Sequence, residues 1–449
     1  MKYFNSIATH PCRALIALLA FYLPIASAQS SYNNIAFHPV PLSNSNPNIT
    51  YDPGILFPAG SDDIASQTSV QNYLENIKEL EANSGPFSMH VAQQTESLGD
   101  LLSRLKDFEG AIQAYEKSMH IKRINDGLYS DEQTALLNKL INSHLQTANY
   151  ERAHELQQSK LYLKQRIFSK GESGYISALL EWADWNVDLL ISDDKPMRSE
   201  IEAPGASINN FLVTAQENYI EVIELIQASD QVNDERLIHA EKKLAAINYI
   251  ANSMTKLSQP LATMGMNNDR NNFLATQNRR EDKAEMAYFF NGSSALKRAI
   301  AYSLESPEPD FISIAEQMMA LGDWYLLFDR RTAALKIYED AFEVLDAVGA
   351  NHQDIEKVMT PGMPVNAPAL VSNNTDTTVY NGYIDIEFKV SKFGIATRPE
   401  VIATSEEETS PVTRALIRKI RNEKFRPAFI DGSASSNENV KLRYYYSYN

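Results

Sequence analysis

Cysteine is nearly absent: Cys12 is the one thiol in 449 residues. That excludes a disulfide scaffold and any zinc or iron–sulfur centre held by several thiolates. Basic residues are in deficit, with 41 Lys/Arg against 57 Asp/Glu for a net charge of −16, and no long basic run occurs. A general nucleic-acid binder needs clustered cations to displace counterions, so that class is excluded. Past the first thirty residues no apolar run reaches the about 20 residues a transmembrane helix requires. Signature motifs for catalysis are missing too: there is no G-x-S-x-G, no phosphate-cradling glycine loop and no dinucleotide fingerprint. His154-Glu155 opens like a zinc-protease helix, but Gln158 stands where the second histidine would be. His90, His120, His144, His239 and His352 are scattered singly. The sequence therefore nominates no catalytic, cofactor-binding or metal-binding residue, and no cofactor.

What is present begins with a leader. Ala14 to Pro24 is an apolar stretch of the length found in secretory signals, and Ala26-Ser27-Ala28 supplies the small residues for cleavage before Gln29. A signal peptide over 1–28 is the reading, with a retained inner-membrane anchor as the alternative. Cleavage removes Cys12, and removing Lys2 and Arg13 takes the charge from −16 to −18. A thiol-free chain suits an oxidising compartment, so a bacterial periplasmic location is expected. Residues 29–65, rich in Asn, Ser and Pro, read as an extended or disordered leader.

Residues 66–350 carry helical periodicity broken by short punctuation. Within them LGDLLSRLKDFEGAIQAYEKS (98–118) aligns without a gap on LGDWYLLFDRRTAALKIYEDA (321–341). Leu98 matches Leu321, Gly99 matches Gly322, Asp100 matches Asp323 and Leu102 matches Tyr325; Ala111 then matches Ala334 and Tyr115 matches Tyr338. The spacing describes a helical hairpin: glycine admits a close neighbour, small residues admit the facing helix, and the aromatic fills the gap between them. A weaker copy holds Tyr150 and Ala153, and Leu98, Leu140 and Trp182 recur 42 residues apart. Trp182, Trp185 and Trp324 read as packing residues rather than a sugar platform. The framework resembles the tetratricopeptide repeat, with longer units like those of kinesin light chains. That resemblance implies a right-handed superhelix of five or six hairpins that binds protein partners.

Residues 351–378 hold three prolines and a polar tract and read as a linker. The period then changes to two: Ile384, Ile386, Phe388 and Val390 alternate with Asp385, Glu387 and Lys389. A glycine turn at Gly394, a second strand to Ala403, a helix opened by Ser410-Pro411 and a last strand through Val440–Tyr448 give the order β-β-α-β over 379–449. With Gly382 opening the first strand and Phe425, Pro427 and Gly432 in FRPAFIDG, this tail resembles the C-terminal domain of TonB-family energy transducers. The resemblance implies contact with envelope proteins by strand addition at the sheet edge near 440–448. It nominates Lys441, Arg443, Tyr444, Tyr445, Tyr446 and Tyr448 as partner-binding residues, and leaves a homodimer through paired edges open. Ser6 and His10 have the spacing of the transducers' intramembrane pair but lie outside the apolar run. From residue 378 on there are eleven Lys/Arg and nine Asp/Glu, so the tail stands at +2 and the remainder of the cleaved chain at −20.

The expected fold class is mainly α: a tetratricopeptide-like hairpin superhelix with a small α+β domain at its end. The expected function is a non-enzymatic interaction scaffold in the periplasm, with protein or peptide partners. The alternatives are a TonB-like transducer, which needs a retained anchor, and an envelope enzyme with its site in 190–310.

Overall fold

A computed structural model describes residues 35–42, 62–191, 208–229, 234–257, 268–365, 380–405, 410–430 and 432–448. The expected signal segment and the second half of the expected linker lie outside the described residues. Helices α1 (Asp62–Ser84), α2 (Met89–Arg104), α3 (Phe108–Asp126), α4 (Gln133–Gln146), α5 (Tyr150–Ile167) and α6 (Ser173–Ile191) come first. They are followed by α7 (Ile208–Ala228), α8 (Glu235–Leu257), α9 (Asn268–Leu304), α10 (Phe311–Leu327), α11 (Arg331–Ala347) and the short α12 (His352–Met359). Each helix packs mainly on its neighbours in the chain. The result is a stack of five hairpins, α2/α3 to α10/α11, with α1 and α12 at its ends, and the chain is mainly helical as its periodicity indicates.

Three hairpin turns are built alike. Lys106, Ala148 and Asp329 each take a left-handed φ, at 62°, 54° and 57°. In each turn the next residue's N–H reaches back five residues: Asp107 to Leu102, Asn149 to His144 and Arg330 to Tyr325, at 2.8–2.9 Å. These bonds satisfy carbonyls that a helix end leaves open. Asp107 and Asn149 then cap the following helices by accepting from Gly110 and Arg152 N–H. The glycine of each repeat has a use at the same place. A Cβ on Gly99 would overlap the Tyr115 ring, and one on Gly322 would overlap the Tyr338 ring.

The apolar core is a relay of clusters rather than one centre. Leu102 packs on both the α1–α3 and the α3–α7 clusters, Leu212 on both the second and third, and Met318 and Tyr325 on both the third and fourth. Such stacking makes stability a sum of neighbour contacts.

The tail folds as a sheet backed by helix α13 (Pro411–Asn422). Ser410 caps it, its hydroxyl accepting from Thr413 N–H at 3.2 Å. Its strands are β2 (Gly382–Val390), β3 (Ala396–Thr404) and β6 (Asn437–Tyr448), with a small hairpin of β4 (Ala428–Ile430) and β5 (Ser433–Ser435). Ile384, Ile386, Phe388 and Val390 pack against Val412, Leu416 and Ile420, as the alternation requires.

Two expectations are corrected. The leader is not wholly free of structure: β1 (Ile35–Pro41) is a fourth strand, antiparallel to β6, and the sheet order is β1-β6-β2-β3. Isolated Pro-containing segments lack a pattern that points to a partner over 400 residues away. The first half of the linker is structured as well. It forms α12 and then pairs with the tail, where Gly362 donates to Arg426 O and Val365 to Lys424 O, both at 2.8 Å. Met359, Val358 and Val365 are buried there.

Candidate protein-docking surfaces

Three surfaces follow from this build: the joints between hairpins, the edge of the terminal sheet, and a cleft on the array. The joints share one arrangement. Tyr115 Oη donates to Asp100 at 2.9 Å, and Lys139 from the next hairpin reaches the same carboxylate at 2.8 Å. Tyr219 Oη donates to Asp184 at 2.5 Å, where His239 stands at 2.9 Å and Lys243 at 3.8 Å. Tyr338 Oη donates to Asp323 at 2.7 Å, and Arg426 binds that carboxylate through two nitrogens, at 3.0 and 2.6 Å. Burial, followed by the adjacent carboxylate, pushes all three phenols above their ordinary range. Burial alone would lower the Arg426 pKa; Asp323 outweighs it and the net shift is upward.

Arg426 belongs to the terminal domain, not to a sixth hairpin. The sheet therefore docks on the last hairpin at the place where a following hairpin would supply its cation. The surrounding contacts agree: Phe429 meets the Tyr338 ring edge-on at 5.9 Å, Lys424 pairs with Asp329 at 2.5 Å, and Gly432 lies against Phe342. The tail motif residues are thus divided between two tasks. Phe425 and Pro427 are buried, Gly394 uses a φ of 73° to pass the Phe425 carbonyl, and Gly382 lies against Tyr446 and Ser405. The sequence alignment already showed Asp100 opposite Asp323 and Tyr115 opposite Tyr338; it did not show the cations, which lie 39 and 103 residues further on, nor the third joint, where Tyr219 stands 35 residues after Asp184 rather than 15.

The sheet edge differs from expectation. Tyr444 and Tyr446 are buried in the core, at 0% and 1% exposure, and cannot present rings to a partner. Arg443 is committed to Asp385 through 2.7 and 2.8 Å bonds and lies 4.2 Å over the Tyr383 ring. Tyr445 is half-buried and stacks on Tyr380 at 4.9 Å. Lys441 is exposed beside Glu387 at 3.4 Å. Tyr448 pairs in register with Ile35. The correction is physical: β6 is an inner strand, and its 442–448 edge is filled by β1.

The cleft lies where the ends of α3 and α4 meet α5. It encloses about 550 Å³ and is lined by Arg123, Tyr129, Arg152, Glu155 and Tyr162, over a floor of Leu137 and Leu163. Tyr129 and Tyr162 are exposed and meet edge-on at 6.2 Å. Among the described residues no group of three or more His, Cys, Asp or Glu is placed to hold a metal ion, and no helix is long and apolar enough to cross a membrane.

No family profile matches the chain, and no curated protein matches it. Similar folds occur among solved structures. BtubC from P. vanneervenii is 14% identical over 71% of this chain and all of its own, with a TM-score of 0.36. A kinesin-light-chain protein of TPR-like repeats from Podosopora anserina is 10% identical over 59% of this chain and 99% of its own, with a TM-score of 0.37. The hairpin geometry above, not this likeness, defines the fold.

One buried and one half-buried histidine make a pH prediction. His144 is 6% exposed, and neither ring nitrogen has a hydrogen-bond partner. His154 lies against Trp182 and Trp185, and its Nδ1 accepts from Trp185 Nε1 at 2.9 Å. Burial lowers both pKa values from the ordinary 6.5, with Arg152 adding to the effect at His144. The unfolded chain then binds these protons first, so stability is full above pH 6.5 and declines as pH falls below it. Melting temperature should fall between pH 7 and pH 5, and His144→Leu should fall less. Parallel curves for the two proteins would count against this account.

Proposed function

We propose that this chain is a non-enzymatic interaction scaffold of the bacterial periplasm, holding a polypeptide partner on its helical array. The observation that carries the reading is the exposed Tyr/Arg cleft on a rigidly jointed stack. Tyr and Arg are the residue types that dominate binding energy at protein interfaces, and stacked hairpins offer them on an extended surface. Trp182, Trp185 and Trp324 are spent on packing. Export supports the reading through the leader sequence and the loss of Cys12 with it. The resemblance of the tail sequence to TonB-family domains favours an envelope partner as a second reading. A transducer needs a retained anchor, and a measured mature mass beginning at Gln29 would remove that alternative.

The test uses the full chain, immobilised, to capture partners from envelope extract, beside the double variant Tyr129→Ala, Tyr162→Ala. Both side chains are exposed, so folding should change by no more than about 0.5 kcal/mol. Truncating interface tyrosines costs about 2 kcal/mol when they anchor a partner, so capture of the chief partner should weaken at least about tenfold. Equal capture by both proteins, or capture of nothing above a blank matrix, would overturn the cleft as the binding surface.

A further inference from the structure

The cleft between α3, α4 and α5 opens on a patch of unspent apolar surface. Phe87, Ile124, Leu128, Tyr129 and Tyr162 are between 48% and 64% exposed. They gather round the C-terminal end of α3. Phe87 is tied there by Asn125, whose Nδ2 donates to its carbonyl at 2.8 Å, and its ring meets His120 edge-on at 6.1 Å. His120 and Ile124 are one turn apart on α3 and so share a side of that helix. Leu128 and Tyr129 follow the helix end and line the cleft with Tyr162. Large apolar side chains exposed singly are ordinary, whereas a contiguous group of them marks a contact surface.

The polar groups of the cleft are already engaged. Gln133 is 1% exposed; its amide donates to Gly127 O at 2.8 Å and accepts from Arg123 Nε at 3.3 Å. Arg152 donates to Glu155 at 2.6 Å. Gln158 bonds His154 at 3.1 Å, and the Ser159 hydroxyl donates to Glu155 O at 2.8 Å. The Tyr129 and Tyr162 hydroxyls bond each other, and Arg166 donates to Tyr162 at 3.0 Å. The walls are helices, whose backbone groups bond within themselves. An extended peptide laid here would find few partners for its own N–H and C=O groups, and unpaired backbone groups are costly at an interface. A helix brings its backbone bonds with it and offers only side chains.

One cation is left over. Arg123 uses one of its five N–H donors, in the bond to Gln133, and makes no ion pair among the described residues. Gln133 is buried and held at both ends of its amide, so it fixes the guanidinium and leaves the two terminal nitrogens unbonded on the cleft wall. Those nitrogens form the parallel pair of donors that a carboxylate accepts. In a chain of net charge −16, an unpaired cation beside an apolar patch is complementary to an acidic visitor.

We infer that the cleft receives the apolar face of an amphipathic helix from a partner protein, and that an acidic residue on the flank of that helix pairs with Arg123. The inference rests on the reading of this cleft as the binding surface and adds what lies in it. Gln133 is then a positioning residue, acting on the partner only through Arg123.

The test uses the full chain and three dye-labelled synthetic peptides of about 20 residues, long enough for an isolated helix. The first carries Leu on one helical face and Glu along its flank. The second replaces each Glu with Gln. The third keeps the composition of the first but alternates apolar and polar residues, the strand pattern. Anisotropy titrations should show the first peptide binding at least about tenfold more tightly than the second, and the third not binding above background. Against Arg123→Gln the first two peptides should bind equally, at the affinity the second shows for the parent chain. Ile124→Ser with Leu128→Ser should weaken both. The inference is overturned if Arg123→Gln keeps the preference for Glu, if the paired serine variant binds both peptides as the parent does, or if the third peptide binds as well as the first. It is also overturned if none of the three binds. That last result, beside weakened capture by the Tyr129→Ala, Tyr162→Ala chain, would keep the cleft as the binding surface and remove only the helix from it.

Discussion

Arg426→Ala is expected to lower the stability of the chain by about 3–5 kcal/mol, the range seen when one partner of a buried ion pair is removed. The cost comes from what is left behind. Asp323 is 5% exposed and would keep only the Tyr338 hydroxyl as a donor. Arg426 also donates to Val358 O at 3.3 Å and to the Thr360 hydroxyl, so two further acceptors near α12 lose their partner. The equivalent joint gives the control. Lys139 and Asp100 are 32% and 42% exposed, so water covers the carboxylate when the lysine is truncated. Lys139→Ala should therefore cost no more than about 1 kcal/mol. Urea unfolding measures both. The array and the sheet have separate cores, so Arg426→Ala should also split one transition into two. Replacing both partners, Arg426→Met with Asp323→Leu, should recover most of the loss, since two apolar groups leave no charge unpaired. Equal losses for Arg426→Ala and Lys139→Ala would sink the idea that burial distinguishes the two joints.

The repeat was legible because its determinants are local. Gly99 with Tyr115, and Gly322 with Tyr338, fall within one hairpin, so a gapless alignment of 21 residues carries both contacts. The strand pattern of β2 was legible for the same reason, since one buried face imposes a period of two. What escaped was non-local. Arg426 reads as one more cation in a basic tail until Asp323, 103 residues earlier, is placed beside it. The pairing of Phe37 with Tyr446 joins the two ends of the chain, and nothing in IAFHPVP announces it. The place of the tyrosines is hidden on another ground. A strand edge in sequence is not an edge in the sheet, and whether Tyr444 and Tyr446 meet solvent depends on what covers their face and on a strand that lies elsewhere in the chain.

Trp324→Ala should cost about 3–5 kcal/mol, the usual range for removing a large aromatic from a core. Trp324 is fully buried. Its ring lies 4.8 Å from Phe328 and 6.4 Å from Tyr249, and its Nε1 donates to Phe289 O at 3.1 Å. Truncation opens a cavity and strips a donor from that carbonyl, whereas Trp324→Phe keeps most of the packing and should lose less. Gly292, on α9, supplies a sharper check. A Cβ there would overlap the indole ring, so Gly292→Ala alone should destabilise by about 1–3 kcal/mol through overpacking. With Trp324→Ala already present the ring is gone, and the same change should become neutral or favourable, because alanine exceeds glycine in a helix interior by up to about 1 kcal/mol. The two substitutions must therefore be strongly non-additive, and the effect of Gly292→Ala must change sign between backgrounds. If Gly292→Ala costs the same in both, the indole is not what fills the space above the glycine, and the joint between α9 and α10 is held by something else.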